Sequence, residues 1–179
     1  MKRSTRLSKD DWMLAGLRAL GQHGPSALKA EPLARELGTT KGSFYWHFKD
    51  VPDFHKSMLT YWEDRHSALP EGPADRIEAT KTLRGLAQNG FAKDATEARA
   101  EKALRGWAQV DTAAAEILAK TDKIRLDYLS GVLNTIGVTN PQIARLILAA
   151  QVGMSGLPDA TDADQETLGT LVDLVLALR

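Results

Sequence analysis

Residues 38–47 run Gly-Thr-Thr-Lys-Gly-Ser-Phe-Tyr-Trp-His, a short polar turn that opens into a compact helix. Gly38 follows the run Leu33–Leu37 where a left-handed residue stops a helix, and Thr40 stands where a new helix needs a side-chain oxygen for its free N–H groups. The pattern predicts helix, tight turn, helix. In the second helix Phe44 and Phe48 are four residues apart and face inward together, while Lys41, Gly42, Tyr45 and Trp46 project from another side. That side is basic and aromatic. Gly42 costs a helix roughly 1 kcal/mol against Ala, a cost offset where the missing side chain lets backbone approach another surface. The plainer alternative is a surface helix with a chance glycine, because short turns with Gly are common between packed helices.

Working outward, Ser8 with Asp11 three residues on is a capping pair. Trp12, Met13, Leu17 and Leu20 form the buried stripe of a first helix ending near Gly24-Pro25. A second helix over about 30–37 puts Leu33, Ala34 and Leu37 on one face and tolerates Pro32 in its first turn. Three helices in under fifty residues, ending in the run from Leu37 to Lys49, resemble the N-terminal signature of the tetracycline-repressor-like (TetR) family of bacterial one-component regulators. The resemblance covers about the first third of the chain.

The resemblance implies that the helix after the turn enters the major groove of double-stranded DNA. Thr40, Lys41, Gly42, Tyr45 and Trp46 would then meet bases and nearby phosphates, with Ser43 offering a hydroxyl to phosphate and His47 and Lys49 reaching the backbone. Two departures stand out. The second helix begins with Lys29 where the family has Ser or Thr; lysine cannot cap, but its ammonium can reach phosphate. After the His-Phe run comes Asp50-Val51-Pro52-Asp53-Phe54, in which the two acids still cap and Phe54 replaces a core Leu, while Val51 removes a cationic contact.

Charge supports the same division of labour. Residues 1–56 hold ten Lys or Arg against six acids, a net of +4 that the remainder cancels to zero overall. Lys2, Arg3, Arg6 and Lys9 form a basic arm suited either to phosphates or to solvent. Zero net charge over the whole argues against a DNA-coating protein. With 179 residues, 43% of them hydrophobic, there is enough apolar material for a real core, and the lack of cysteine excludes disulfides, thiolate metal sites and thiol nucleophiles. No apolar signal region or membrane-length apolar stretch occurs, so the expected location is cytoplasmic, with no membrane partner. The histidines, His23, His47, His55 and His66, lack helical zinc spacing, and no phosphate loop, nucleophile elbow or paired-carboxylate motif is present. The chain is therefore not expected to be an enzyme or to need a cofactor or metal.

Beyond residue 50 the chain reads as helices broken by Pro and Gly: 51–67, 74–87 carrying Ile77, Leu83 and Leu86, one capped by Asp94 with Glu97, 113–136, one from Asn140-Pro141 to Gly153, and a last one capped by Asp162 and Gln165. The expected fold is all-α, with a helix-turn-helix DNA-binding domain over 1–50 and a helical effector-binding and dimerisation domain over 51–179. The last two helices are apolar enough to need cover. Ile143, Ile147, Ala150, Leu168, Leu171 and Val175, in a stripe continuing to Leu178, are expected to pair with a second copy as a four-helix bundle, which the family also uses. By the resemblance, Trp62, Phe91, Trp107, Thr121 and Tyr128 would line a pocket for an unidentified small-molecule effector. The expected function is a ligand-responsive homodimeric repressor of a palindromic operator; the alternative is an inducer-independent DNA-binding structural protein.

Overall fold

The computed structural model describes residues 7–157 and 162–177. Its regular structure there is helical throughout: α1 (Lys9–His23), α2 (Ala30–Glu36), α3 (Lys41–His47), α4 (Val51–Ser67), α5 (Arg76–Asn89), α6 (Ala95–Trp107), α7 (Thr112–Thr135), α8 (Pro141–Gly156) and α9 (Asp162–Ala177), with one 3-10 turn at Pro25–Ala27. The basic arm at Lys2, Arg3 and Arg6, the cap assigned to Asp162 and Gln165, and Leu178 lie outside the described residues or side chains.

Local chemistry sets the helix ends. The Ser8 hydroxyl accepts from the Asp11 N–H at 3.2 Å, and the Asp11 carboxylate takes the Ser8 N–H at 2.7 Å, a reciprocal cap that opens α1. Hydrogen bonds from the Ser8 hydroxyl and then its N–H hold the Asp11 carboxyl below the usual carboxylate range. At α4 the Asp50 carboxylate accepts the Asp53 N–H at 2.8 Å and the Asp53 carboxylate accepts the Lys49 N–H at 3.0 Å. The fifth helix starts later than its composition suggests, because Asp75 caps it by accepting from the N–H groups of Ile77 and Glu78. Ile77 falls in the exposed first turn, leaving Ala79, Leu83 and Ala87 to make the buried face. The expected Asp94/Glu97 pair is corrected in one half: Asp94 caps α6, but the Glu97 carboxylate is engaged by Arg65 of α4.

The described residues pack as two compact units, one of residues up to Arg65 with Asp94–Leu118, the other of His66–Lys93 with Ala119 onward. In the first, Trp12 meets Phe44 edge-on at a ring separation of 5.4 Å, and Phe44, Phe48 and Phe54 lie 5.0 to 5.3 Å apart. Such aromatic pairs add about 0.5–1.5 kcal/mol each beyond the area they bury. Met58 and Trp62 of α4 and Ala100, Leu104 and Trp107 of α6 complete this core, so its apolar cluster does not stop at residue 50. The second core joins Leu83 of α5, Leu129, Val132 and Leu133 of α7, Ile147 and Leu148 of α8, and Val172 and Val175 of α9.

Gly16 lets α1 lie against α4: a Cβ there would come within 2.7 Å of the tip of the Phe54 ring and 2.8 Å of the Met58 sulfur. Gly106 of α6, in contrast, has nothing within 4 Å of the same position. Gly16→Ala is therefore expected to destabilise by about 1–3 kcal/mol through overpacking, whereas Gly106→Ala should stabilise by about 0.5–1 kcal/mol through helix propensity. Urea unfolding followed by circular dichroism distinguishes the two signs.

The Arg65–Glu97 pair offers a second check. Arg65 donates to Glu97 through Nε at 3.1 Å and Nη2 at 2.5 Å, and the Glu97 side chain is only 6% exposed. The hydrogen bonds to Glu97 hold the Arg65 guanidinium above its ordinary value, so the arginine stays charged at any working pH. Arg65→Met should cost about 2–4 kcal/mol in urea unfolding, less than for a fully enclosed pair because Arg65 is about one-third exposed.

Candidate nucleic-acid interface

The turn between α2 and α3 closes with crossed backbone hydrogen bonds. Gly38 adopts φ +63°, its N–H donates to the Arg35 carbonyl at 3.2 Å, and the Thr39 N–H reaches back to the Ala34 carbonyl at 2.9 Å. This is the Schellman closure, and it requires a residue that tolerates the left-handed region. Thr40 then occupies the N-cap position of α3, but not as expected. No side-chain capping bond is made; the Thr40 carbonyl accepts from the Ser43 N–H at 2.9 Å, and its hydroxyl oxygen stands 3.6 Å from where a Cβ of Gly42 would lie.

Helix α3 divides its side chains sharply. Phe44 and Phe48 are enclosed in the first core, whereas Tyr45 is 47% and Trp46 71% exposed. The Lys41 ammonium lies 5.8 Å from the centre of the Tyr45 ring, so charge and aromatic surface share one flank. Lys29, Thr40, Gly42 and Lys49 are exposed as well. Ser43 and His47 are half-buried, the His47 ring standing 6.1 Å from Phe48 and 6.5 Å from Trp12. These residues do not form one uniform surface: seven face solvent and two are partly drawn into the core.

An open hollow of about 490 Å³ gathers Lys29, Lys41 and Tyr45 with Arg35, Pro32 and Val51. Arg35 was not among the residues singled out from sequence. Its position four residues after Glu31 reads as an ordinary helical ion pair, and that pair is present at 3.5 Å between two well-exposed side chains. Only the fold shows that Arg35 adds a third cation to the rim.

The other expected sites scatter. Trp62 and Trp107 are buried in the first core, Trp107 meeting the ring of His55 edge-on at 5.3 Å. Phe91 and Tyr128 pack against the second core, and Thr121 is fully buried. Burial, and then the charge of Glu78, push the Tyr128 phenol above its ordinary value. The Arg125 guanidinium lies over Phe91, 5.0 Å from its ring centre. Of the residues assigned to a second copy, Ile147 and Val175 are enclosed within their own subunit, while Ile143, Ala150, Leu168 and Leu171 are half-buried. The large apolar side chains that α8 and α9 leave outside are Leu146 and Leu174, 58% and 59% exposed. Among the described residues no group of three His, Cys, Asp or Glu is arranged to hold a metal ion, and no helix is long and apolar enough to cross a membrane.

Comparison with known proteins meets the sequence at this element. Residues 13–50 match the family of bacterial regulatory proteins, tetR family. The HTH-type transcriptional regulator AcrR of Shigella flexneri is 36% identical over 55 residues, which cover 31% of this chain and 24% of that regulator's length. Among solved structures, a TetR-family transcriptional regulator from Rhodococcus sp. superposes with a TM-score of 0.73 at 24% identity, over 94% of this chain and 98% of the other. The multidrug binding protein EbrR, solved with proflavin, gives a TM-score of 0.61 at 20% identity over 93% of this chain and 98% of its own. At these identities the structural matches speak to fold, and the sequence match lies in the helix-turn-helix. Residues 13–50 are thus similar to the helix-turn-helix of the bacterial regulatory proteins, tetR family, and they are carried on an all-helical fold that the solved regulators share.

Proposed function

We propose that this chain is a ligand-responsive transcriptional repressor that binds a palindromic operator as a homodimer in the cytoplasm, with residues 1–50 as the reading head and 51–179 as the effector-binding and dimerisation part. The observation that carries the reading is the split of α3: its core side is consumed by Phe44 and Phe48, which leaves Lys41, Tyr45 and Trp46 on an uncovered basic and aromatic flank. In a major groove, Thr40, Lys41, Tyr45 and Trp46 would face base edges, with Gly42 allowing close approach. Lys29, Arg35, Ser43, His47 and Lys49 would serve the phosphates that fix register.

EbrR, solved with proflavin, supports a small-molecule input for a chain of this fold. Trp62, Phe91, Trp107, Thr121 and Tyr128 are the side chains we propose for it. For assembly, we propose a seam centred on Leu146 and Leu174, the large apolar side chains that α8 and α9 leave exposed, with the half-buried Ile143, Ala150, Leu168 and Leu171 beside it. Ile147 and Val175 have almost no surface left for a partner to cover. A two-fold axis through such a seam would present two heads to successive major grooves, roughly 34 Å apart.

Selection of bound sequences from random duplex DNA tests operator, symmetry and half-site spacing together; recovery of no enriched, two-fold symmetric sequence would refute the reading. Tyr45→Ala should weaken binding to the selected duplex by about 1–3 kcal/mol in a fluorescence anisotropy titration, with little change in melting temperature. The double variant Leu146→Asp/Leu174→Asp should fold yet elute as a monomer in light scattering and bind the duplex poorly. A dimer that survives this change would exclude the seam.

A further inference from the structure

The hollow between α2 and α3 is basic with one exception. Lys29, Arg35 and Lys41 line it beside Tyr45, and Glu31 is the single acid among its lining residues. A carboxylate in the first turn of α2 suits the positive end of the helix, and Lys29 at the N-cap makes no side-chain capping bond there. Helix chemistry therefore accounts for an acid in this turn, but any anion that enters the hollow meets it. Glu31 also has a partner on the same rim: its carboxylate stands 3.5 Å from the Arg35 guanidinium, the two side chains being 73% and 79% exposed. An exposed pair one helical turn apart shifts an equilibrium by about twofold or less. A guanidinium that grips a phosphate through two N–H groups is held more strongly than that. Arg35 is thus engaged in the free protein, yet loosely enough to change partner.

We propose that Glu31 is an internal competitor of DNA phosphate: it holds Arg35 in the free protein, gives it up on binding, and so keeps duplex affinity below what the three cations would otherwise reach. The inference rests on the reading of α3 and its surroundings as the DNA-contacting face. Two separate costs follow from one carboxylate. The Arg35 pair must be broken before the guanidinium can reach a phosphate, and the carboxylate left behind then faces the polyanion at short range. Both costs are electrostatic and exposed, so both shrink as salt rises. Glu31 is a positioning residue here, acting on DNA through Arg35. Its effect on the helix and its effect on DNA have opposite signs: Glu31→Gln removes a favourable charge from the first turn of α2 and, at the same time, frees Arg35.

The test uses the full chain and the duplex it selects from random DNA, titrated by fluorescence anisotropy over a series of salt concentrations. Glu31→Gln is compared with Glu36→Gln, which removes the same charge from the same helix outside the hollow, where Glu36 pairs with Arg18 of α1. Glu31→Gln is expected to raise affinity about 2- to 10-fold at low salt, with a steeper salt dependence, while its melting temperature stays level or falls slightly. Glu36→Gln should raise affinity less. Arg35→Gln should weaken binding and reduce the salt slope by about one unit, and in that background Glu31→Gln should gain no more than Glu36→Gln. Equal gains for the two acids in the unaltered background, a Glu31→Gln advantage that persists without Arg35, or weaker binding by Glu31→Gln overturns the proposal. Should the unaltered chain select no sequence, the operator reading fails by itself, and the same variants on one arbitrary duplex still decide whether Glu31 withholds Arg35. A chain that binds no duplex at all overturns both.

Discussion

Phe44 fixes the orientation of α3. Its ring is fully buried between Trp12, Phe48 and Phe54, and a seven-residue helix fastened at that point cannot roll about its own axis without pulling an aromatic side chain out of the core. Removing a phenylalanine side chain from such a site costs about 3–5 kcal/mol, far more than solvating a tyrosine or tryptophan on the opposite flank. Exposure of Tyr45 and Trp46 is therefore a consequence of where Phe44 goes. The short helix would not hold this geometry alone, since segments under about twelve residues are marginal in water. Its rigidity is borrowed from α1 and α4.

The same core extends along α4 and into α6, so the element that reads and the elements behind it share one set of apolar contacts. Two different devices set the spacing. Around Gly16 the helices are separated by side-chain tips, whereas at Gly21 backbone lies on backbone. The Arg65–Glu97 pair adds direction, because a guanidinium held through two nitrogens constrains the rotation of α6 about its axis as well as its distance from α4.

Helix boundaries were legible wherever one side chain decides them: Ser8 and Asp11 before α1, Asp50 and Asp53 before α4, Asn140 before Pro141. They differed where an acid's hydrogen bonds decided between neighbouring positions: Asp75 rather than Ala74 opened α5, and Glu97 took Arg65 instead of closing back on its own N-cap. The exposed flank of α3 could be read because Phe44 and Phe48 share a period that Tyr45 and Trp46 break. Arg35 could not, since its approach to Lys29 and Lys41 is a property of how two helices cross, and the sequence shows only its pairing with Glu31. Nor could apolar periodicity alone tell which stripe of α8 and α9 faces inward. Both helices carry more than one, and burial of Ile147 and Val175 is decided by α5 and α7.

That choice separates two events in the life of the molecule. Because Ile147 and Val175 are already enclosed by their own chain, these parts of the second core need no neighbour to close them, and a subunit built this way would fold as a first-order event in a single polypeptide. Any pairing through Leu146 and Leu174 comes afterwards and is second order. For an operator that admits only the pair, occupancy at low abundance would climb with the square of the number of chains per cell, so halving expression would cut occupancy about fourfold.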